Sequence, residues 1–319
     1  MGVAWGFGTS AVYLTLILLV LEVSLSFDNA VVNARVLENL SEKWQRFFLT
    51  WGLVFPVFVV RFIGPLAIVS LSSGVPMGQV LDLSLNNQQE YGRLLEDAHP
   101  KILAFGGMFL LMVFLEFFLD QAKTIHWLRR IEQQFVRMGK FDSMQIAIAL
   151  TALLGVAASC EENIRASVMV SGTIGLVLNV VFGSVASYFS EENHEGAAPS
   201  GTKAAIAAIL YLEVLDASFS LDGTVGAFAI TQNAWIILTG LGLGALFIRS
   251  MTVMMVRERM LESLIYLEHG AHYAIGALGI LMLVSINVHM SELITGTIGL
   301  VLIGASLWDS WRHRRRSHA

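Results

Sequence analysis

Nine stretches of this chain are each apolar over about the length that crosses a bilayer, and that pattern limits the fold more than any other feature. A helix covers roughly 30 Å of hydrocarbon in about 20 residues. The stretches fall near 10–35, 47–72, 102–120, 144–160, 164–188, 204–231, 234–256, 265–287 and 291–309, the fourth being the shortest. Only 14% of the 319 residues are charged, against about 25% in a soluble domain. Hydrocarbon offers no partner to a backbone N–H or C=O, so segments of this length span as helices. The reading is an all-α, polytopic membrane helix bundle of about nine transmembrane helices.

The same composition removes several function classes. Twenty basic against twenty-five acidic side chains give a formal charge of −5, and outside the C-terminal arginines there is no long basic stripe. Nucleic-acid binding is therefore not expected. The single Cys160 excludes an intrachain disulfide and any CxxC motif. The N-terminus has no early Lys or Arg and runs into Glu22 and Asp28, unlike a cleaved signal peptide, so the first span is expected to be retained.

Basic residues set the expected orientation. Arg35, Lys43 and Arg46 follow the first span, Lys123, Arg129, Arg130, Arg137 and Lys140 the third, Arg257 and Arg259 the seventh, and Arg312, Arg314, Arg315 and Arg316 the ninth. With nine spans all four groups share one side, the cytoplasm, which puts the N-terminus and the acidic 74–100 connection outside. Residues 122–143 place Ile125, Leu128, Ile131 and Phe135 near helical spacing among basic residues. They read as an interfacial amphipathic helix or as a solvated basic linker. Residues 190–203 read as a flexible linker between two halves.

Compared with itself, the chain repeats. Glu22-Val-Ser-Leu-Ser-Phe-Asp28-Asn29 matches Asp216-Ala-Ser-Phe-Ser-Leu-Asp222-Gly223, both inside apolar stretches. The next span carries one arginine each time, Arg61 and Arg249. The third span opens with Leu95-Glu-Asp-Ala-His99 or with Leu267-Glu-His-Gly-Ala-His272. The charge map makes span one and span six opposite in direction, so the units read as two inverted three-helix repeats, with a site expected at their interface near the midplane. The divisions follow: 1–121 the first repeat, 122–190 an amphipathic linker with two inserted helices, 204–309 the second repeat with a final helix. A further match, SGTIGLVL at 171–178 with TGTIGLVL at 295–302, joins two spans of the same direction and fits only shared small-residue packing.

Charges within spans cost about 2.5–3.5 kcal/mol at the helix centre and mark function by default. Glu22, Asp28, Glu213, Asp216 and Asp222 are five acids against Arg61 and Arg249. If all ionise, three negative charges remain, which a divalent cation would largely neutralise and which disfavours an anionic substrate. With Ser26, Asn29 and Ser220 the donors are hard oxygens, suited to Mg, Ca or Mn. On a straight helix Asp28 points about 100° away from Asn29, so convergence calls for a local break, which Gly223 also favours in the second copy. A purely structural pairing of acids and arginines is the competing reading. Glu116 and Asp120 lie toward the end of the third span, and His99, His269 and His272 read as headgroup-level side chains. Met251, Met254, Met255 and Met260 read as packing.

EVSLSFDNAVV at 22–32 and DASFSLDGTVGAFAIT at 216–231 resemble the two signature motifs of the TerC family of integral membrane proteins. AHPKILAFGGMFLLMVFLEFF and YLEHGAHYAIGALGILML are similar to a TerC-like branch labelled as a domain of unknown function, within a superfamily that includes LysE-type and manganese exporters. The resemblance implies export of a divalent metal, Mn²⁺ above all, with Glu22, Asp28, Asn29, Asp216 and Asp222 in the acidic-motif positions, in a bacterial inner membrane. It links the chain to tellurite resistance, directly or indirectly. Gly223 departs from the commoner serine. The expectation is a secondary transporter with the metal as substrate, no tightly bound cofactor, the lipid bilayer as its surroundings, and homo-oligomerisation left open. Alternatives are an exchanger of Ca²⁺ or another cation for protons, and a membrane scaffold of a metal or tellurite-stress complex without transport. No HExxH and no GxxxxGK[ST] occurs, so neither a zinc protease nor an ATP-driven pump is expected.

Overall fold

The computed structural model describes residues 9–38, 40–50, 63–141, 143–191, 202–231, 233–288, 290 and 292–317. These form α1 (Thr9–Leu25), α2 (Phe27–Glu38), α3 (Glu42–Thr50), α4 (Gly64–Ser73), α5 (Met77–Asn86), α6 (Gln88–Leu119), α7 (Arg129–Met138), α8 (Met144–Ser159), α9 (Glu162–Glu191), α10 (Thr202–Ile230), α11 (Ala234–Arg257), α12 (Met260–Ser263), α13 (Leu267–Ser285) and α14 (Glu292–Ser317). No strand occurs among the described residues. Four helices there, α6, α9, α11 and α13, are long and apolar enough to cross a membrane, and two bent pairs, α1 with α2 and α4 with α5, raise that to six if each pair is one span. The chain is a multi-pass membrane protein.

Helix α6 is the axis of the bundle. It packs against α9, α10 and α13 and also touches α4, α5, α7 and α8. Met108, Phe109, Leu110 and Met112 are fully enclosed at its middle. Its first turns carry a small separate core, in which Tyr91 and Leu95 meet Leu66 and Val69 of α4 and Val80 of α5. The α4–α5 pair bends by 120°, with Gly74 just after α4 at φ +73°, a conformation that costs a Cβ-bearing residue steric energy. The second apolar stretch, expected near 47–72, is thus divided: α3 ends at Thr50, residues 51–62 lie outside those described, and α4 turns back into α5.

Two contacts reveal how the repeats are related. Where α6 crosses α13, a Cβ on Gly107 would stand 3.0 Å from the Gly279 carbonyl oxygen, and one on Gly279 would stand 3.1 Å from the Gly107 carbonyl oxygen. Gly107 also faces Leu283, and Gly279 faces the Leu111 backbone. Gly107 corresponds to Gly279, and Leu111 to Leu283, when Leu95 is aligned with Leu267. The contact is therefore reciprocal and antiparallel, as two units related by a two-fold axis in the membrane plane make it.

Helix α11 closes on α1 in the same small-residue manner. A Cβ on Gly240 would lie 2.6 Å from Leu18 Cβ, and one on Gly244 would lie 2.6 Å from Glu22 Cβ and Cγ. This G-x-x-x-G ridge lets the backbones approach within dispersion distance, which drives helix association where no hydrophobic force operates. In α9, Gly175 lies against the Phe105 backbone, whereas its counterpart in the second SGTIGLVL-like run, Gly299, meets Ala274 only at 3.9 Å. The two runs therefore do not share one close-packed contact.

Replacing Gly240 or Gly244 with valine should cost about 1–3 kcal/mol through overpacking, read as a lower melting temperature of the detergent-solubilised protein. Gly155, with open space around its Cβ position, should tolerate valine unchanged. Equal melting of all three variants contradicts the close approach of α1 and α11.

Candidate functional site

The first motif lies on the bend between α1 and α2. The helices meet at 50° with only Ser26 between them, and backbone bonds still cross the bend, Ser26 N–H to the Glu22 carbonyl and Ala30 N–H to the Ser26 carbonyl. The local break expected from the sequence is thus a one-residue kink. In the second copy α10 runs unbroken from Thr202 to Ile230, through Gly223. The kink suffices to re-aim the first motif. Glu22, Ser26, Asp28 and Asn29 are all buried, with the Ser26 hydroxyl donating to Glu22 Oε1 at 3.0 Å. Asp28 sits in the first turn of α2, where its carboxylate accepts from the Asn29 N–H at 2.9 Å and faces the positive end of the helix.

The two motif copies lie side by side in opposite directions. Asn29 Nδ2, at the last position of the first copy, donates to Asp216 Oδ1, at the first position of the second, at 2.6 Å. At the other end a Cβ on Gly223, the last position of the second copy, would stand 3.7 Å from Glu22 Oε2, the first position of the first. This is the reciprocity already seen at Gly107 and Gly279. It is not perfect: the pair is amide with carboxylate at one end and glycine with the longer glutamate at the other. A glycine there leaves room for the extra methylene that Glu22 has over Asp216.

Burial and oxygen chemistry give the seam its character. Glu213 and Asp216 are buried on α10. Asn33, one turn beyond Asn29 on α2, is also buried, and the side-chain oxygens of both asparagines have no hydrogen-bond partner among the described residues. A buried amide oxygen without a partner costs about 1–3 kcal/mol, a cost that a cation removes. Asn33 was not singled out in the sequence because it lies outside the repeated motif. Its signal is the i, i+4 spacing from Asn29.

Other expected residues fall differently. The side chains of Asp222 and Ser220, and all of Arg61, lie outside the described residues. Arg249 is buried on α11, donates to the Phe48 carbonyl in the last turn of α3, and stacks over the Phe48 ring at 3.5 Å. A helix C-terminal carbonyl is a favourable seat for a cation. Among the described residues no three side chains of His, Cys, Asp and Glu gather as a metal centre would require.

A second polar cluster appears where α6 ends and α13 begins. The amphipathic helix expected over 122–143 is α7, confined to Arg129–Met138, and its Glu132 points inward and is fully buried. Glu132 Oε1 accepts from the N–H groups of Trp127 at 3.2 Å and Leu128 at 3.0 Å, and Oε2 pairs with Lys123 Nζ at 3.2 Å. Lys123 also lies over the Phe117 and Phe118 rings, at 3.9 and 4.1 Å. Burial pulls its ammonium below its ordinary pKa while Glu132 opposes that shift. His269 and His272 are buried here. His269 Nε2 donates to the Ile125 carbonyl at 2.8 Å, and His272 stacks on Phe117 with ring centroids 3.7 Å apart. Arg35 of α2 reaches Glu268 at 3.1 Å, and Trp127 donates to Asp309 of α14 at 2.9 Å. The cluster ties the connection before α7 to three helices. Sequence reading missed it because its members come from four separate segments.

Breaking a buried ion pair from one side leaves an uncompensated charge, about 3–5 kcal/mol. Glu132→Gln and Lys123→Met should each lower the melting temperature strongly, and the double variant should melt well above the additive expectation. Strict additivity means that the pair carries no coupling.

Residues 27–317 match the family described as a protein of unknown function, DUF475. The match takes in most of the chain, including Asp28, Asn29 and the whole second motif. Neither curated proteins nor solved structures include a match.

Proposed function

We propose that this chain, which belongs to the DUF475 family, is a secondary transporter that exports divalent metal cations, Mn²⁺ above all, through the seam between its two motif copies. The observation that carries the reading is the antiparallel pairing of the copies, joined by Asn29 and Asp216, with the Asn29 and Asn33 oxygens buried and unpartnered beside it. Glu22, Asp28, Glu213 and Asp216 supply negative charge that hydrocarbon cannot solvate. A hard divalent ion satisfies amide and carboxylate oxygens together. Ser26 orients Glu22, and Ser220 and Asp222 are the matching groups of the second copy. The TerC-like motifs support the same reading, as does the expected orientation, N-terminus out and C-terminus cytoplasmic, in a bacterial inner membrane.

The mechanism follows from the symmetry. An ion at the crossing of two inverted units is held by one motif from each, and rocking one unit against the other opens the seam to alternate sides. The Ser26 kink is the place where α1 and α2 change their relative angle. Arg249, seated on the end of α3, couples α11 to that helix as the units move.

The test is Mn²⁺ uptake into inside-out membrane vesicles. Wild type should accumulate the ion, and Asp28→Asn and Asp216→Asn should abolish uptake while the protein remains folded. Uptake that is unaffected by both substitutions removes the seam from the path. Absence of uptake by the wild type favours the scaffold reading.

A further inference from the structure

The seam leaves one polar pair of the bundle unused, a half-buried carboxyl and a fully buried amide. Glu116 lies one turn inside the Leu119 end of α6, where α6, α9 and α10 meet one another. A Cβ on Gly183 of α9 would stand 3.8 Å from Glu116 Oε1, and Asn179, one turn earlier on the same face of α9, interacts with that carboxyl. From α10 the neighbouring titratable group is Tyr211. Along α6 it is the exposed Asp120, one turn on. No charged side chain of α7, α8 or α13 bears on the carboxyl, and among the described residues no base forms an ion pair with it.

Asn179 is 0% exposed, and among the described residues neither its oxygen nor its nitrogen reaches full hydrogen-bond geometry, so its approach to the Glu116 carboxyl is a long one. Burying both ends of an amide in this way is costly unless the group it faces makes use of them. An amide is suited to a carboxyl that changes state: its N–H donates to the carboxylate, and its carbonyl oxygen accepts from the O–H of the acid. Gly183 removes the side chain that would otherwise cover the carboxyl from the α9 side.

We propose that Glu116 is a proton-binding site separate from the metal seam, with Asn179 holding the carboxyl in either protonation state. Loading forms one O–H bond on Glu116 with a proton drawn from water at the Leu119 end, and unloading breaks that bond. The helix that links the two sites is α10, which carries Tyr211 beside Glu116 and, about one and a half turns on, Asp216 in the seam. On the transport reading, on which this last step rests, the Glu116 proton is the counter-ion of metal export.

Infrared difference spectroscopy of the purified, metal-free protein during a pH titration tests the site without any transport. The expected result is a C=O stretch of a protonated carboxyl that grows as pH falls, is lost in Glu116→Gln, returns in Glu116→Asp, and shifts in frequency in Asn179→Leu, where the carboxyl is intact. Superimposable spectra of wild type and Glu116→Gln, or of wild type and Asn179→Leu, overturn it. In proteoliposomes Glu116→Gln should keep Mn²⁺ binding and lose the dependence of uptake on a pH gradient. An unchanged dependence overturns the coupling role. If wild type moves no metal, the transport reading falls and the infrared titration alone decides the proton site.

Discussion

A charged group buried in this bundle must be met by something the rest of the chain brings to it, because lipid brings nothing. Most of this structure follows from that constraint. Asn29 is brought to Asp216 across the motif seam, the Trp127 and Leu128 amides and Lys123 to Glu132, and the Phe48 carbonyl to Arg249. A partner can be delivered only if the backbones come close, and the glycines at 107, 279, 240 and 244 permit that approach. Small residues and buried charges are two halves of one device in this bundle. The first set the helix spacing, and the second use it.

The halves meet as a pseudo-two-fold axis would relate them. Gly107 and Gly279 are mutual neighbours, and the ends of the two motifs meet crosswise, Asn29 with Asp216 and Glu22 with Gly223. Helices related by such an axis cross antiparallel, which puts the first position of one motif against the last position of the other. The departures from symmetry are equally informative. The α1–α2 unit is kinked at Ser26 while α10 is continuous, so one half is jointed and the other rigid at the depth of the seam. The glycine at 223 removes a donor and widens the Glu22 end.

Much of this was legible in the chain because membrane spans restrict where polar residues can stand. The repeated Ser-x-Ser and acid pattern of 22–29 and 216–223 stands out against an apolar background, and the structure brings the two copies together. The depth of the break was not legible. Ser26 tilts the helix by 50° without releasing its backbone, and Gly223 does not break α10, since a glycine permits a bend without requiring one. The burial of His269 and His272 is not legible from their place near a span's start, since it comes from the Ile125 carbonyl against one ring and Phe117 stacked on the other. Glu116 and Asn179 belong to different helices with no shared pattern, so only their packing relates them. The same holds for Lys123 with Glu132, where the spacing suggested a basic surface and the packing buried an ion pair.

Antiparallel pairing of the motif copies is the central claim, and site-directed cross-linking tests it most directly. In a background with Cys160 replaced by alanine, cysteines are placed at 22 with 223, at 29 with 216, at 22 with 216 and at 29 with 223, and each membrane-embedded protein is treated with a short thiol-specific linker. Joining of the first two pairs and not of the last two is the predicted result. Linkage of 22 with 216 or of 29 with 223 in preference to them would mean that the copies run parallel, and the seam described here would not exist.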